Sequence, residues 1–598
     1  MEYPMESASL VRLRHSLAHV LAQAVRDHFA KEGPVLFAGG PPIQDGFYYD
    51  FELPWPLVPD DLPAIEELMK KILKEAHAFR YQELSADEAR LIFADQPYKL
   101  EILDGLQKGG CDDHGEKIGD AGPQVISLYE HADFRDLCRG PHVASCQDIP
   151  LDCFKLLKIA GAYWRGDEKR PMLQRIYALA FASASALQEH LHRIAEAEKR
   201  DHRKLGKELK LFFFHATAPG MPYWLPQGFS ILNQLIQWWR EVHEREDYAE
   251  ISSPLINSKK LWEISGHWDH YRDDMFVMAL NKDEVYGVKP MNCPNAMVVF
   301  NHEAKSYRDL PLRLSDCDAL HRHERSGALH GLLRVQKFQQ DDAHIFVENQ
   351  EEAIHREFLR ILELVDEFYR VFRLPYRFRL ATQPQDSMGE AADWQRAEAC
   401  LRRVLDAQGG SFEVAVGDGA FYGPKIDILI QDAIGRDWQM GTLQLDFQLP
   451  QRFDCQYVDR DGQRKHPAVI HRVIYGSMER FIGILIEHCE GKFPLWLAPL
   501  QLRILPIADR HEDFARAVQK GLKAAGIRAD LDADAQSLGH RIRRFRLERI
   551  PYAVVIGDQE MEQGKLSLRS RDEDGLLSLN VNELLQKLKG EIEAKYMR

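Results

Sequence analysis

Three groups of residues in this 598-residue chain have types that could do chemistry. The first is split between "HSLAHV" and "DLCRGPHV". His15 and His19 stand at i and i+4, so a helix carries them on one face. Leu10, Leu13, Leu17, Leu21 and Ala24 form the apolar stripe of that helix, and both histidines fall on its opposite side. They do not simply fill the stripe, so a solvent-exposed pair and a functional pair are both open readings. Asp136, Cys138 and His142 flank Gly140 and Pro141, which forbid a regular helix and leave a turn presenting polar groups. Two histidines, a cysteine and a third histidine are a set that zinc accepts. Only folding could bring the two halves together.

The second group is the densest polar region, "LHRHERSGALHGLLRVQKFQQDDAHIF" at 320–346, with Arg322, Glu324, Arg334, Phe338, Gln340, Asp342 and His344. Arginine forks suit phosphate, and a flat aromatic beside them suits a purine ring. The Ser-Gly-Ala turn between apolar-alternating flanks predicts a hairpin or a longer loop between antiparallel strands. Downstream, "YGSMERFIGILIE" puts Arg480 on an otherwise apolar helix starting near Gly476 and Ser477, where it needs an anion or a carboxylate. No P-loop and no dinucleotide glycine fingerprint is present. A nucleotide would therefore bind on an arginine-lined antiparallel sheet. The third candidate is Cys293 in "VKPMNCPNAMVVF". Alone it reads as an ordinary buried thiol.

The elements that must position these residues divide by pattern. At about 150 residues per domain the length suggests roughly four domains. Residues 1–180 mix helix and strand; 186–211 are charged, Pro-free and helix-favouring, a linker helix within 181–211. Residues 212–497 form the largest block, and 498–598 alternate strand and helix as a small α/β domain with a largely parallel sheet. Gly526 and Pro551 are helix stops there. The fold class is α+β, multidomain. No apolar run approaches a membrane span, no signal peptide is visible, and nine scattered cysteines without a CxxC pair fit a reducing cytosol. A cytoplasmic protein without membrane association is expected. The net charge of −15 argues against indiscriminate nucleic-acid coating but allows a local basic surface. "HRIRRFRLER" at 540–549 is the candidate, either as a solvated face or as a phosphate-contacting helix.

Long motifs extend these readings: "GFYYDFELP", "CRGPHV", "AGAYWRGD", "KRDHRKLGK", "GHWDHY", "KPMNCP", "SYRDLPLR", "DDAHIF", "FYGPKID", "GTLQLDF" and "GSMERFIGILIE". In that order they resemble the threonyl-tRNA synthetases, a family of class II aminoacyl-tRNA synthetases, from about residue 10 to the C-terminus. The resemblance implies an N-terminal α/β editing domain, an antiparallel-sheet catalytic core and a C-terminal α/β anticodon-binding domain. It implies ATP-dependent attachment of L-threonine to tRNA(Thr) through threonyl-adenylate. Arg322 would hold the α-phosphate, Glu324 the adenine edge and Phe338 the ring face. Arg334 and Arg480 would bind the outer phosphates, with Gln340 also on the ATP side and Mg2+ accompanying ATP. Lys425 would lie in the active site beside Tyr422. Cys293, His344 and His471 match the family's zinc ligands, one Zn2+ per chain, a set that leaves a tetrahedral ion one open position. Asp342, Tyr422, Gln439, Thr442 and Gln444 would line the threonine pocket. Thr442 and Gln444 share a strand face; Gln439 joins them only if Gly441 makes a bulge. His267 matches a residue implicated in transferring the aminoacyl group to tRNA.

A zinc that takes amine and hydroxyl rejects valine strongly, but serine lacks only a methyl, worth roughly 1–3 kcal/mol. A hydrolytic site for seryl-tRNA(Thr) is therefore expected. His15, His19, Cys138 and His142 match its polar cluster, with Lys99 and Asp136 beside it. A related alanine-system editing domain uses zinc; the threonyl family is taken to edit without metal, and the resemblance favours that reading here. In the C-terminal unit, Arg549, Glu560 and Arg569 match positions that read anticodon bases. The family's usual small ubiquitin-like N-terminal domain is expected to be absent, and its usual "MNCPGH" is "MNCPNA" here, with Asn295 and Ala296. Gln336, Lys337 and Gln339 also depart from the usual residues around Phe338. A catalytically dead RNA-binding regulator would not need to keep Arg322, Arg334, Arg480, Cys293, His344 and His471. A form that charges but edits poorly would not need the intact His15, His19, Cys138 and His142. Class II architecture implies a homodimer through the segment around Pro254.

Overall fold

A computed structural model describes residues 8–107, 126–432 and 435–595. The chain divides into two compact units, Met1–Ala195 and Glu196–Arg598.

In the first unit, helix α1 (Ala8–His28) lies against strand β1 (Gly46–Glu52) and helix α2 (Leu62–Lys74). Every residue of α1 from Leu13 to Val25 is buried, including His15 and His19. The histidines are therefore not a solvent-exposed pair: the apolar stripe seals one side, and other elements cover the polar side too. Strand β2 (Arg80–Leu84), helix α3 (Pro97–Gln107) and strands β3 (Ile126–His131) and β4 (Phe134–Leu137) follow. The sheet β2-β3-β4 is antiparallel. Strands β5 (Phe154–Tyr163) and β6 (Met172–Ala180) pair antiparallel, and β6 pairs with β1.

The expected single linker helix is two helices, α4 (Ala184–Arg200) and α5 (His202–Glu208). Asp201 separates them because its side chain accepts from Arg203 N–H and caps a new helix.

The second unit is built on a nine-stranded sheet. Helix α6 (Cys293–Phe300) precedes strands β7 (Leu312–Asp316), β8 (Ala319–His321) and β9 (Lys337–Val347). β8 and β9 are antiparallel across residues 322–336, as the Ser-Gly-Ala turn predicts. Strands β10 (Tyr376–Ala381), β11 (Lys425–Gln431), β12 (Asp437–Asp446) and β13 (Ala468–Ser477) complete its antiparallel centre, in the order β7-β9-β13-β12-β11-β10. Helix α7 (Met478–His488) leaves β13 at once, capped by Ser477, which accepts from Arg480 N–H. β13 is buried from Ala468 to Gly476, so this sheet is a core layer.

In the C-terminal region, β14 (Leu502–Pro506) pairs in parallel with β15 (Ala529–Leu531) and with β16 (Tyr552–Ile556). β17 (Leu566–Ser570) and β18 (Leu577–Leu579) continue the sheet antiparallel. The expected largely parallel sheet is thus mixed, because the chain after β16 returns without a crossover long enough for a parallel pairing. Helix α8 (Leu538–Leu547) carries the basic segment. Among the described residues, no helix is long and apolar enough to cross a membrane.

Candidate functional site

Two neighbouring strands and a helix start bring the scattered donors of the second unit together. His344 on β9 and His471 on β13 are direct register partners. Cys293 opens α6, where Pro294 fits the first turn. One donor atom from each of the three lies within 4.8 Å of the others, and all three residues are buried. Burial, and then the carboxylates of Asp342 and Asp446, push the Cys293 thiol well up. Burial holds His344 neutral. His471 Nε2 donates to Asp446 Oδ2 at 2.9 Å, which leaves Nδ1 as its lone-pair nitrogen. A thiol plus two imidazoles, one oriented by a carboxylate, fits zinc better than magnesium or calcium. Sequence reasoning missed Asp446; its signal was the last acid of "GTLQLDF".

The residues expected to line a threonine pocket lie around this cluster. Gln444 is the register partner of both His471 and Lys425. Tyr422 OH donates to Gln444 Oε1, and its ring lies 5.0 Å from that of His471. Asn292 Nδ2 donates to Asp342 Oδ2 at 3.1 Å. The register of β11 and β12 slips between Asp427 and Leu429, whose partners are Thr442 and Gln439. The extra residue of that bulge brings Gln439 onto the Thr442 face, and its Nε2 donates to Asp427 Oδ1 at 2.7 Å. Gly441 permits it: a Cβ there would sit 2.4 Å from Val473 O. Lys425 Nζ lies 3.2 Å from the same Asp427 carboxylate. His267 is fully buried, with Nδ1 on Ser265 Oγ at 2.8 Å and Nε2 3.8 Å from Cys293 Sγ. Burial takes its pKa down to about 3, so it is neutral.

Beside this pocket, Arg322 stands over Phe338 at 5.0 Å and over Tyr271 at 5.7 Å, with Nε donating to Pro290 O. Arg334 Nε donates to Glu324 Oε2 at 2.9 Å. Gln340 pairs with Ser477 at the end of β13. Arg480 donates to two backbone carbonyls, Leu333 O at 2.8 Å and Gln439 O at 2.6 Å. Burial, and then the charges of Arg322 and Arg334, bring its pKa down to about 10. Three guanidiniums thus converge, and the most buried one bonds only neutral oxygens. Such an arrangement can accept an anion.

In the first unit, His15, His19, Cys138 and His142 offer donor atoms within 4.8 Å of one another. Cys138 Sγ lies 3.2 Å from both His15 Nε2 and His142 Nε2, and Gly140 N–H donates to it at 3.2 Å. His142 Nδ1 meets Ser16 Oγ at 3.1 Å. Burial and the neighbouring imidazoles hold His19 well below the ordinary histidine range and His142 at about 2, so both are neutral. Lys99 Nζ lies 2.5 Å from Asp136 Oδ1, and Tyr49 OH donates to Asp136 Oδ2 at 2.6 Å. His19 Nε2 is 3.8 Å from the same carboxylate. All six sequence-derived residues therefore share one site. Tyr49 and Ser16 were missed, although Tyr49 lies in the motif "GFYYDFELP".

The C-terminal candidates are more dispersed. Arg549 Nη1 donates to Glu490 O. Glu560 accepts from Ser567 Oγ at 2.6 Å and from Gly557 N–H at 2.8 Å, as a helix-start residue. Arg569 Nε is buried without a hydrogen-bond partner. On α8, Arg541 and Arg544 turn to Asp532 and Asp534, while Arg543 is exposed. A surface cavity of about 300 Å³ is lined by Lys492, Arg546, Arg549 and Arg571 with three acids.

Comparison with known proteins gives three domain matches. Residues 276–489 match the class II core domain of the G, H, P, S and T tRNA synthetases, 501–591 an anticodon-binding domain, and 126–177 the second additional domain of threonyl and alanyl tRNA synthetases. The threonine–tRNA ligase of Clostridium botulinum (strain Langeland) is 47% identical over 585 residues, 98% of this chain and 89% of that protein. The chain belongs to the threonine–tRNA ligase family. That of Desulforamulus reducens is 46% identical over 609 residues, covering 100% of this chain and 92% of its own. Among solved structures, the RNA-binding domain of threonyl-tRNA synthetase from Cryptosporidium parvum Iowa II superposes with a TM-score of 0.64 at 40% identity, covering 65% of this chain and 98% of that one. Membership makes the chain a class II aminoacyl-tRNA ligase that carries an editing domain.

Proposed function

We propose that the second unit condenses L-threonine with ATP and passes the product to tRNA(Thr), and that the first unit hydrolyses seryl-tRNA(Thr). The observation that supports it most is the meeting of Cys293, His344 and His471 on two paired strands and a helix start, beside an arginine cluster that bonds no carboxylate through Arg480. Arg322, Arg334 and Arg480 neutralise the phosphates of ATP, which brings Mg2+ with it. The threonine carboxylate attacks the α-phosphorus and pyrophosphate leaves. The terminal ribose hydroxyl of the tRNA then attacks the carbonyl and AMP leaves. Phe338 and Glu324 receive adenine; Asp342, Tyr422, Gln439, Thr442 and Gln444 bound the amino acid; Lys425 offsets developing charge. Cys293, His344 and His471 would hold a Zn2+, which would supply a Lewis acid for the amine and hydroxyl of threonine. His267, neutral and buried beside Cys293, is assigned the transfer of the aminoacyl group to tRNA.

The editing cluster is read as metal-free. The resemblance to a family that edits without metal carries this reading; Cys138 Sγ meets two imidazoles and a backbone N–H, and Lys99 beside the set is paired with Asp136. The neutral histidines can instead position water. Arg549, Glu560 and Arg569 are proposed to meet the anticodon, residues 1–180, 181–211, 212–497 and 498–598 to divide the labour, and two copies to assemble through the segment around Pro254, which is followed by exposed Leu255 and Ile256. A cytoplasmic location follows from the activity. Threonine-dependent pyrophosphate exchange combined with metal analysis tests the central reading. Cys293→Ser is expected to lose zinc and at least about a hundredfold of exchange activity. Full adenylate formation by that variant would sink the zinc assignment.

A further inference from the structure

We propose that His202 is a positioning residue for the ATP site, coupling the start of α5 to the turn that carries Arg334. The proposal rests on the reading of Arg334 and Arg480 as phosphate-binding residues. His202 is fully buried. Its Nδ1 donates to Glu487 Oε1 at 2.7 Å, and the same oxygen accepts its backbone N–H at 3.3 Å. Glu487 thereby fixes the tautomer, so Nε2 carries a lone pair. That lone pair accepts the backbone N–H of Leu332 at 3.1 Å. Asp201, His202 and Glu487 lie close enough to resemble a metal cluster. Both ring nitrogens, however, are already spent on protein partners, so the histidine works as a bracket rather than a ligand.

What it brackets is a tight turn. His330 N–H donates to Arg334 O at 3.1 Å, and Leu333 N–H to His330 O at 2.9 Å. Gly331 has φ +51, and a Cβ there would lie 2.1 Å from His202 Nε2. The next carbonyl, Leu333 O, accepts from Arg480 Nε at 2.8 Å. Arg480 and Glu487 both belong to α7, and Gly483 between them gives Leu332 and Leu333 room to approach. The turn is thus gripped at adjacent residues, by His202 at one N–H and by Arg480 at one carbonyl. Removing the His202 grip leaves the buried Leu332 N–H unsatisfied and lets the Arg334 end of the turn move relative to Arg480. His202 touches no proposed substrate group, so its effect should fall on ATP and not on threonine.

The test is pyrophosphate exchange on the full chain, with ATP and threonine varied separately. His202→Phe keeps ring bulk and removes both ring hydrogen bonds; it is expected to raise the KM for ATP about tenfold, with the KM for threonine within about twofold and seryl-tRNA deacylation unchanged. His202→Gln keeps a donor and an acceptor and should recover most of the loss. In an Arg334→Ala background, His202→Phe should add less than about twofold, because both act through one contact. If Arg334→Ala raises the KM for ATP and His202→Phe does not, the coupling is overturned. If Arg334→Ala itself leaves the KM for ATP unchanged, the phosphate-site reading fails first and takes the proposal with it. A His202→Phe variant that loses melting temperature and weakens ATP and threonine equally shows a merely structural role and also overturns it. Should that variant not fold, Glu487→Leu, which strips the ring of its acceptor, must show the same ATP-selective rise; an unchanged KM for ATP there counts against the proposal.

Discussion

The candidate side chains were legible as types, but their companions in the structure were not. Cys293, His344 and His471 are far apart in the chain, and strand register brings the histidines face to face. Asp446 left no signal of its own beyond membership of a motif. Its carboxylate nevertheless decides which nitrogen of His471 is free. Asp446→Asn places an amide donor where His471 Nε2 now donates. The imidazole then moves its proton to Nδ1 and loses the lone pair a metal would take. We expect a fall of about ten- to a hundredfold in zinc affinity, read by competition with a chelator. Arg480 makes the opposite case, since the sequence already marked it as a charge in need of a partner. Burial and two like charges lower its pKa to about 10. The charged form is the one disfavoured by folding, so removing the charge relieves the protein. Arg480→Met is expected to keep or raise the melting temperature without ATP while raising the KM for ATP at least about tenfold. A large loss of stability with an unchanged KM would contradict it.

At the scale of elements, periodicity located the helices and strands but not their irregularities, and the site depends on those. The slip between β11 and β12 puts Gln439 on the Thr442 face, which the sequence allowed only as a condition on Gly441. A second slip lies where β9 meets β13, between Gln340 and Asp342. There the ladder fails, and Asp341 replaces it. Its Oδ2 accepts the N–H groups of Ile474 at 2.9 Å and Tyr475 at 3.0 Å, while Oδ1 accepts Gly476 at 3.1 Å. Arg472, also buried, stands 3.7 Å away. This carboxylate sets the angle at which β13 turns into α7 and so aims Arg480. No pattern reveals it, because a buried acid in "QQDDAH" looks like its neighbour Asp342. Asp341→Ala leaves three buried N–H donors without their acceptor and takes the nearby carboxylate from Arg472. We expect a loss of about 3–5 kcal/mol in urea unfolding, with Asp341→Asn costing less. An alanine variant as stable as the parent would show that the bulge is held by packing alone.

At the scale of the molecule, texture divides the sequence into regions, while the need for a second site has a different origin. The reason is energetic. Serine keeps every group that a zinc and a polar pocket can grip, and its missing methyl separates it from threonine by only about ten- to two-hundredfold. No refinement of the second unit changes that bound, so accuracy must come from the first. There the six expected residues do meet around Cys138 and Asp136, and burial keeps His19 and His142 neutral enough to hold water rather than repel one another. What the sequence could not show is that the helix bearing the histidines is covered all round from Leu13 to Val25, because the cover comes from separate elements, α2 and β1 among them. If the labour is divided in this way, His19→Ala should leave threonine-dependent pyrophosphate exchange unchanged while stable seryl-tRNA(Thr) accumulates when serine is supplied. Its yield should be about ten- to two-hundredfold below that of threonyl-tRNA at equal amino-acid concentrations, the ratio a missing methyl permits. Labelled serine and acid-gel separation read both quantities. Wild-type deacylation in this variant would remove His19 from the editing site. Accumulation well beyond that ratio would mean that the second unit discriminates less than its chemistry allows.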